Sequence, residues 1–505
     1  MGDETSADAR PPVRRDGAVF LLVCGFFLLC YFRLLTIGYF RPDDLARTLQ
    51  GYYHWSDDGR PLTTLVLRLL AFDASSLRAP NGLIDDAPLP QFLSIGLMGL
   101  CGMLLHRCFP ALTAARAATV AILLFATPFM IEPFSYIFDS LGVVASMALG
   151  LAGALLLMRE PPRRRDVVAA WACLLAALLF YQTGLNVFLA FASGQVLFLL
   201  ATGRSGAPAA AARAIGAAVA ALGSYLAAIW ILRGIGVSEF HAYQIAHSRI
   251  VPPGAAIAGI AGNLLGMGRY VASVLGIRSL YAVLIACSVA TLAVRAIAGA
   301  RLRPAPTVLA LLALCCLGAS FAGPMLLLAD PILAPRVFGG VGGVIAASWL
   351  FGALQLRTRL GERASAVLAI GLMACFARYS FAYGAMARDF DRYETFTCPM
   401  IARQINALSD STGVKRLAII GSLPYPASIR HSYDAFPGLR PIPVNQTGID
   451  AFAQALLVRY GLSGSLSLVE VDRADACRRR TIETADGFAL WSDGQTLYLV
   501  FQSGC

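Results

Sequence analysis

Long apolar runs, separated by short arginine-bearing stretches, fill the first 385 residues, and shorter alternating patterns take over from residue 386. A helix needs about 20 apolar residues to cross a bilayer, and the runs are of that order. Eleven spans are predicted, at residues 17–37, 89–106, 112–130, 136–158, 167–182, 184–202, 212–233, 279–298, 305–329, 338–356 and 364–384. A further run, 254–277, carries Asn263 and Arg269 among its glycines. It is predicted to lie at the outer interface or to re-enter from it, supported by protein rather than lipid. Beyond the spans, 416–420, 466–471 and 496–501 read as strands. Ile449 to Arg459 reads as an amphipathic helix with Ile449, Phe452, Leu456 and Leu457 on its apolar side.

The expected organisation is a polytopic α-helical membrane body, residues 1–385, and a soluble α/β or α+β domain, residues 386–505. Composition agrees: 57% of residues are hydrophobic and 14% charged, against roughly 25% charged in soluble domains. The first span has an arginine near its end and many spans after it, so it reads as an anchor and not as a cleaved signal.

The formal net charge of +11 does not point to nucleic acid. From Arg388 onward 12 acidic residues balance 12 basic ones, so the excess lies in the membrane body. With the N-terminus inside, the inner stretches hold 17 arginines against 7 acids, and the outer ones up to residue 385 hold 12 against 11. That is a positive-inside pattern, not a phosphodiester-binding groove. It places the C-terminal domain outside the cytoplasm. A Cys398–Cys477 disulfide is expected there, with Cys505 the third cysteine of the domain.

Candidate chemistry concentrates in the first outer loop, residues 38–88, which holds seven aspartates and no glutamate. Pro42 followed by Asp43 and Asp44 suits a helix start, where exposed N–H groups favour anions. Leu45, Leu49 and Tyr52 would form the apolar side, with Asp43 and Arg47 one turn apart. Tyr52, Tyr53, His54 and Trp55 follow, then Asp57, Asp58, Gly59 and Arg60. Aromatic faces beside carboxylates and an arginine suit sugars and phosphates, although such residues also cap helices and anchor them at interfaces. A carboxylate at this height has the chemistry of a general base toward a sugar hydroxyl, and the acid pair is a candidate site for a divalent cation, magnesium or manganese. Glu132, Asp139 and Arg336 are further costly charges near the outer side that need partners or a wet cavity. Arg336 reads either as a phosphate clamp or as a snorkelling interface residue. His241 is a candidate acceptor contact. Its spacing of six from His247, with no cysteine nearby, argues against zinc. No Walker motif or dinucleotide fingerprint is present, so an activated donor would be lipid-borne.

The stretch Tyr39 to Arg47, the stretch Gly51 to Leu62 and the segment Pro88 to Ser94 resemble the N-terminal signature of the GtrII-type glucosyltransferases. The resemblance implies a C-type glycosyltransferase (GT-C) fold, a polyprenyl-phosphate sugar donor, and glucosyl transfer to O-antigen or a related surface glycan on the periplasmic side of the bacterial inner membrane. Carried onto this sequence, it places Asp43 and Asp44 in the family's acidic motif and Gly59, Arg60 and Pro61 in the later part of the loop signature. It does not divide roles between the two acids, nor does it fix glucose as the sugar. The competing classes are a transporter or flippase of lipid-linked sugars and a non-catalytic envelope assembly protein. The absence of an internal repeat, the long early loop and the folded tail favour an enzyme over a transporter.

Overall fold

The apolar runs form helices, and their polar interruptions form the turns. The computed structural model describes residues 12–38, 41–73, 82–159, 162–239, 242–276, 280–299, 303–355, 358–445, 450–472 and 487–501. Helix α1 (Pro12–Thr36) leads into the first loop, which carries α2 (Pro42–Gln50) and α3 (Pro61–Leu70). The body continues with α4 (Leu89–Cys108), α5 (Ala114–Phe125), α6 (Ile131–Ser135), α7 (Asp139–Leu157), α8 (Arg164–Phe180), α9 (Thr183–Ala201) and α10 (Ala207–Gly234). It is completed by α11 (Ala242–Ser248), α12 (Ala256–Leu275), α13 (Leu280–Gly299), α14 (Pro304–Ala319), α15 (Gly340–Ala353) and α16 (Arg359–Thr412).

Helices α7, α9 and α15 are buried at the centre, whereas α10 and α13 face mostly outward. Ile215, Val219, Leu226 and Trp230 of α10 and Leu21, Leu29 and Phe32 of α1 are exposed, as lipid-facing positions should be. Where α7 meets α9, a Cβ on Gly150 would fall 2.0 Å from the Gly184 carbonyl oxygen. Only glycine permits that approach.

Among the described residues, eight helices have the length and composition to cross a membrane. There are nine if α5 and Pro128–Ser135, bent by 65°, count as one span. The expected eleven spans are supported only to eight or nine among the described residues. The expected runs are helical, but Pro128 breaks the 112–130 run, α8 has 17 residues with charges in its first turn, and α14 has 16. The 254–277 run forms α12, which is not among the eight. Its Asn263 donates to the carbonyls of Leu326 and Leu328 at 3.0 and 2.7 Å, so protein satisfies its polar group.

The last helix, α16, is 54 residues long, about 81 Å at 1.5 Å per residue, and passes residue 385 without a break. Beyond it lie β1 (Arg416–Ile420), α17 (Ala427–Ala435), α18 (Asp450–Arg459), β2 (Ser467–Leu468), β3 (Phe488–Ser492) and β4 (Leu497–Phe501). The sheet order is β2-β1-β4-β3, with β1 parallel to both neighbours and β3 antiparallel to β4. This is a small α/β arrangement. Strand β3, unforeseen in the sequence, forms a hairpin with β4 across a turn in which Asp493 accepts from the N–H groups of Gln495 and Thr496. Ala453, Leu456 and Leu457 of α18 are buried. Ile449, Cys477 and Cys505 lie outside the described residues, and with them the expected disulfide; Cys398 is buried within α16. The C-terminal region packs on the first loop through α18 and α2, and on α12 where Gly438 meets the Val274 carbonyl.

Candidate active site

The site is built outward from α2. Arg41 is extended, Pro42 opens the helix, and Gly51 closes it in the left-handed conformation at φ 76°. The buried face of α2 is Asp44, Leu45, Ala46 and Arg47, while Leu49 is exposed, contrary to the expected apolar stripe. The neighbours explain this: α2 is covered by groups that need charge partners.

Asp44 is fully buried, and its Oδ2 accepts from the Ile137 N–H at 2.8 Å. Burial holds its carboxyl well above the usual carboxylate range, and nearby Asp139 pushes the same way, against the opposing pull of Arg47 and the Ile137 N–H. Asp43 differs. It is half-buried and has no hydrogen-bond or ion-pair partner among the described residues. Asp43 and Arg47, one turn apart, make no direct contact; the Arg47 guanidinium lies 4.0 Å from Asp139 and feels the Asp43 charge from further off.

Trp55 is fully buried, donates its indole N–H to Asp139, and stacks under the Arg47 guanidinium at 4.2 Å. Both its polar handle and one ring face are therefore engaged within the protein. Tyr52 is half-buried beside Arg47, and its ring meets that of His54 edge-on at 5.0 Å. His54 pairs with Asp57 at 2.6 Å. Asp58 accepts from the Gln244 side chain at 3.0 Å and lies 3.8 Å from Arg60. Asp57 also accepts from the Glu239 N–H at 2.8 Å, and Ser238 donates to the Ser56 carbonyl. The segment that carries His241 is thus brought to the loop, although His241 itself lies outside the described residues.

Gly59 has φ +73°, and a Cβ there would meet the Tyr225 hydroxyl at 2.5 Å. That hydroxyl donates to the Gly59 carbonyl and accepts from Gln182. The turn aims Arg60 over the Tyr181 ring at 4.1 Å.

A second group closes the cluster. Glu132 accepts from the Arg336 backbone N–H at 2.7 Å and its guanidinium at 2.8 Å, and lies 3.6 Å from Arg41. The Tyr136 hydroxyl accepts from both Arg41 and Arg336. Arg336 is thus bound to a carboxylate within the protein, and snorkelling does not describe it. Arg41, Tyr136, Tyr181 and Tyr383, whose hydroxyl accepts from Arg41 at 3.5 Å, were not recognisable as site residues from the sequence. The costly charges at Glu132 and Asp139 were the only signal that this turn needed partners.

Among the described residues, Asp44 Oδ1, Arg47 Nε and Nη1, Arg60 Nε and the Tyr181 hydroxyl are buried without a hydrogen-bond partner. Such groups are rare in folded proteins and call for an explanation, a bound ligand being one. The arginines at 41, 47, 60 and 336 face three carboxylates, Glu132, Asp139 and Asp58, with Asp44 held toward its neutral form. With the open Asp43 carboxylate set aside, one positive charge in the cluster is uncompensated, which suits an anionic group of a ligand. No group of three or more His, Cys, Asp or Glu disposed to hold a metal ion occurs among the described residues. Of the acid pair, Asp43 has the carboxylate open to a cation.

These observations define a multi-pass membrane protein with a buried, arginine-rich polar cluster beside an open carboxylate. Residues 32–347 match the family model described as Glucosyl transferase GtrII, and the chain belongs to that family. It is 26% identical over 252 residues to an uncharacterized 55.3 kDa protein in the gtrB 5′ region of Salmonella phage P22. The match covers 50% of this chain and 50% of that protein, so the chain spans about half the length of that relative. No solved structure matches the chain.

Proposed function

We propose that this protein is an inverting glycosyltransferase of C type. In this reading it moves a sugar, glucose by its family, from a polyprenyl-phosphate carrier to O-antigen or another surface glycan, on the periplasmic side of the bacterial inner membrane. The observation that carries the reading is the unpartnered, half-buried Asp43 carboxylate beside the arginine-rich cluster. The family's glycosyltransferase character and the arginine excess in the predicted inner stretches support it from independent sides.

In the proposed reaction the acceptor hydroxyl attacks the anomeric carbon. Its pKa lies far above neutrality, so the proton passes to Asp43 as the new C–O bond forms. The bond from the anomeric carbon to the phosphate oxygen breaks, and the phosphate departs with the electron pair. Arg336 and Arg60 would hold that phosphate, whose low basicity makes an acid unnecessary. Arg47, Trp55 and Asp139 support α2 from beneath, and Tyr52, His54 and Asp58 line the approach. A single displacement inverts the anomeric configuration. A magnesium or manganese ion, where present, would be held by the open Asp43 carboxylate and would supply positive charge toward the departing phosphate.

The test is transfer by purified protein given a polyprenyl-phosphate sugar or a nucleotide sugar, with product anomer analysis. Turnover with the nucleotide sugar in the absence of lipid carrier overturns the donor assignment, and retention overturns the single displacement.

A further inference from the structure

The C-terminal region contains a cavity of about 360 Å³ lined by Tyr425, Arg430, Tyr433, Asp434 and Arg440. Arg430, Tyr433 and Asp434 come from α17, whose register places all three on the side toward Tyr425 and Arg440. The two tyrosine rings meet edge-on with centroids 5.3 Å apart, Tyr425 part-exposed and Tyr433 buried, so the cavity has an aromatic wall. Arg440 donates to Asp434 at 2.7 Å, so those two charges answer one another. Arg430 is exposed and has no ion-pair partner among the described residues. The lining therefore carries one uncompensated positive charge beside an aromatic wall.

Its position gives the cavity meaning. The Tyr433 hydroxyl accepts from the Val444 N–H at 3.2 Å and donates to the Ile442 carbonyl at 3.4 Å. The residue between them, Pro443, takes a hydrogen bond from Arg41 through its carbonyl. Arg41 in turn contacts Glu132 and Tyr136 in the cluster beside Asp43. One residue, Pro443, thus joins the wall of the cavity to the wall of the candidate active site.

We propose that this cavity is an acceptor subsite that holds an acidic sugar of the glycan. The sugar ring lies against Tyr425 and Tyr433, its carboxylate meets Arg430, and a neighbouring sugar of the same glycan reaches Asp43. The proposal rests on the glycosyltransferase reading and adds where the acceptor binds and what charge it carries. A neutral sugar would give Arg430 no counter-charge, and a bare phosphate would leave the tyrosine pair unused.

The experiment titrates the full-length protein in detergent with methyl glucuronide, methyl glucoside or inorganic phosphate, followed by saturation-transfer NMR. A charge-assisted hydrogen bond at an exposed arginine predicts roughly two- to fivefold tighter binding of the glucuronide than of the glucoside or of phosphate. Arg430→Ala should bring the glucuronide down to the glucoside's level, Arg430→Lys should restore part of the difference, and Tyr425→Ala should weaken both sugars alike. Arg430 is exposed, so its replacement leaves the fold intact, which a melting curve checks. Equal binding of glucuronide and glucoside, phosphate binding as tight as glucuronide, or a preference that survives Arg430→Ala each overturns the proposal. Asp43→Asn keeps the two readings separable. If that variant transfers sugar normally while the Arg430 dependence holds, the catalytic assignment falls and the sugar subsite stands.

Discussion

Arg41, the residue before the acidic helix, donates a hydrogen bond to the carbonyl of Pro443, 402 residues further along the chain. The first loop and the C-terminal region therefore share one face of the molecule. An even number of crossings must separate them, and with α1 the total is odd. Eight crossings cannot satisfy that contact. Nine can, with the bent pair counted as one span, and so can eleven.

Labelling should follow this parity. In a cysteine-free background, Asp85→Cys and Arg430→Cys should react with an impermeant thiol reagent from the same side of intact cells, and Arg163→Cys should not. By the arginine excess, the reactive side is expected to be the outer one. Reaction at positions 163 and 430 from one side would refute the arrangement.

The two aspartates should separate in function. Asp43→Asn is expected to lower transfer by roughly 10²-fold or more while leaving donor binding near normal, the scale of a positioned proton transfer. Asp44→Asn keeps a carbonyl oxygen for the Ile137 N–H and should lose less. Kinetics with donor-binding measurements on both variants provide the check. Near-normal transfer by the double variant would remove the site from this helix.

Burial of Asp44 has a pH signature. Its carboxyl is raised well above the ordinary value of 3.8, so between that value and the raised one the native state holds more protons than the unfolded state. The stability this group contributes is full at acid pH and is lost as pH rises through the window. Asp44→Asn cannot ionise, so its melting temperature relative to the parent should climb as pH rises above the ordinary value of 3.8 toward the raised one. A difference that stays flat across that range contradicts the assignment.

Glu132 holds Arg336 through two hydrogen bonds and lies beside Arg41. Removing one partner of a buried ion pair costs about 3–5 kcal/mol, because the remaining charge stays buried. Glu132→Ala should therefore lower stability by an amount in that range, with transfer lost as Arg336 swings free; thermal melts and the transfer assay read the two effects. Glu132→Gln, which keeps an acceptor for the Arg336 N–H, should fall between Glu132→Ala and the parent.

Much of this protein is determined along the chain itself. The apolar runs are long enough that helix is the one structure able to satisfy their backbone in lipid. Pro42 with two aspartates marks the start of α2, and Gly59 marks a turn that only a residue tolerant of positive φ adopts. The acidic loop, the arginine-rich stretches between spans and strands β1, β2 and β4 of the tail are local patterns, whereas β3 emerged only in the structure. Span lengths were less legible, because a break at Pro128 and charges at the start of α8 shorten helices whose neighbours remain apolar.

Only the tertiary structure decided which aspartate is open. Adjacent positions on a helix differ by about 100°, and periodicity alone would bury the leucines of α2. Instead Asp44 and Arg47 are buried and Leu49 is exposed, because Ile137, Trp55 and Asp139 converge on α2 from distant parts of the chain. The same holds for Arg41 and Pro443. A buried charge is stable only where several elements supply its partners together, and those elements meet through packing that no single stretch of sequence encodes.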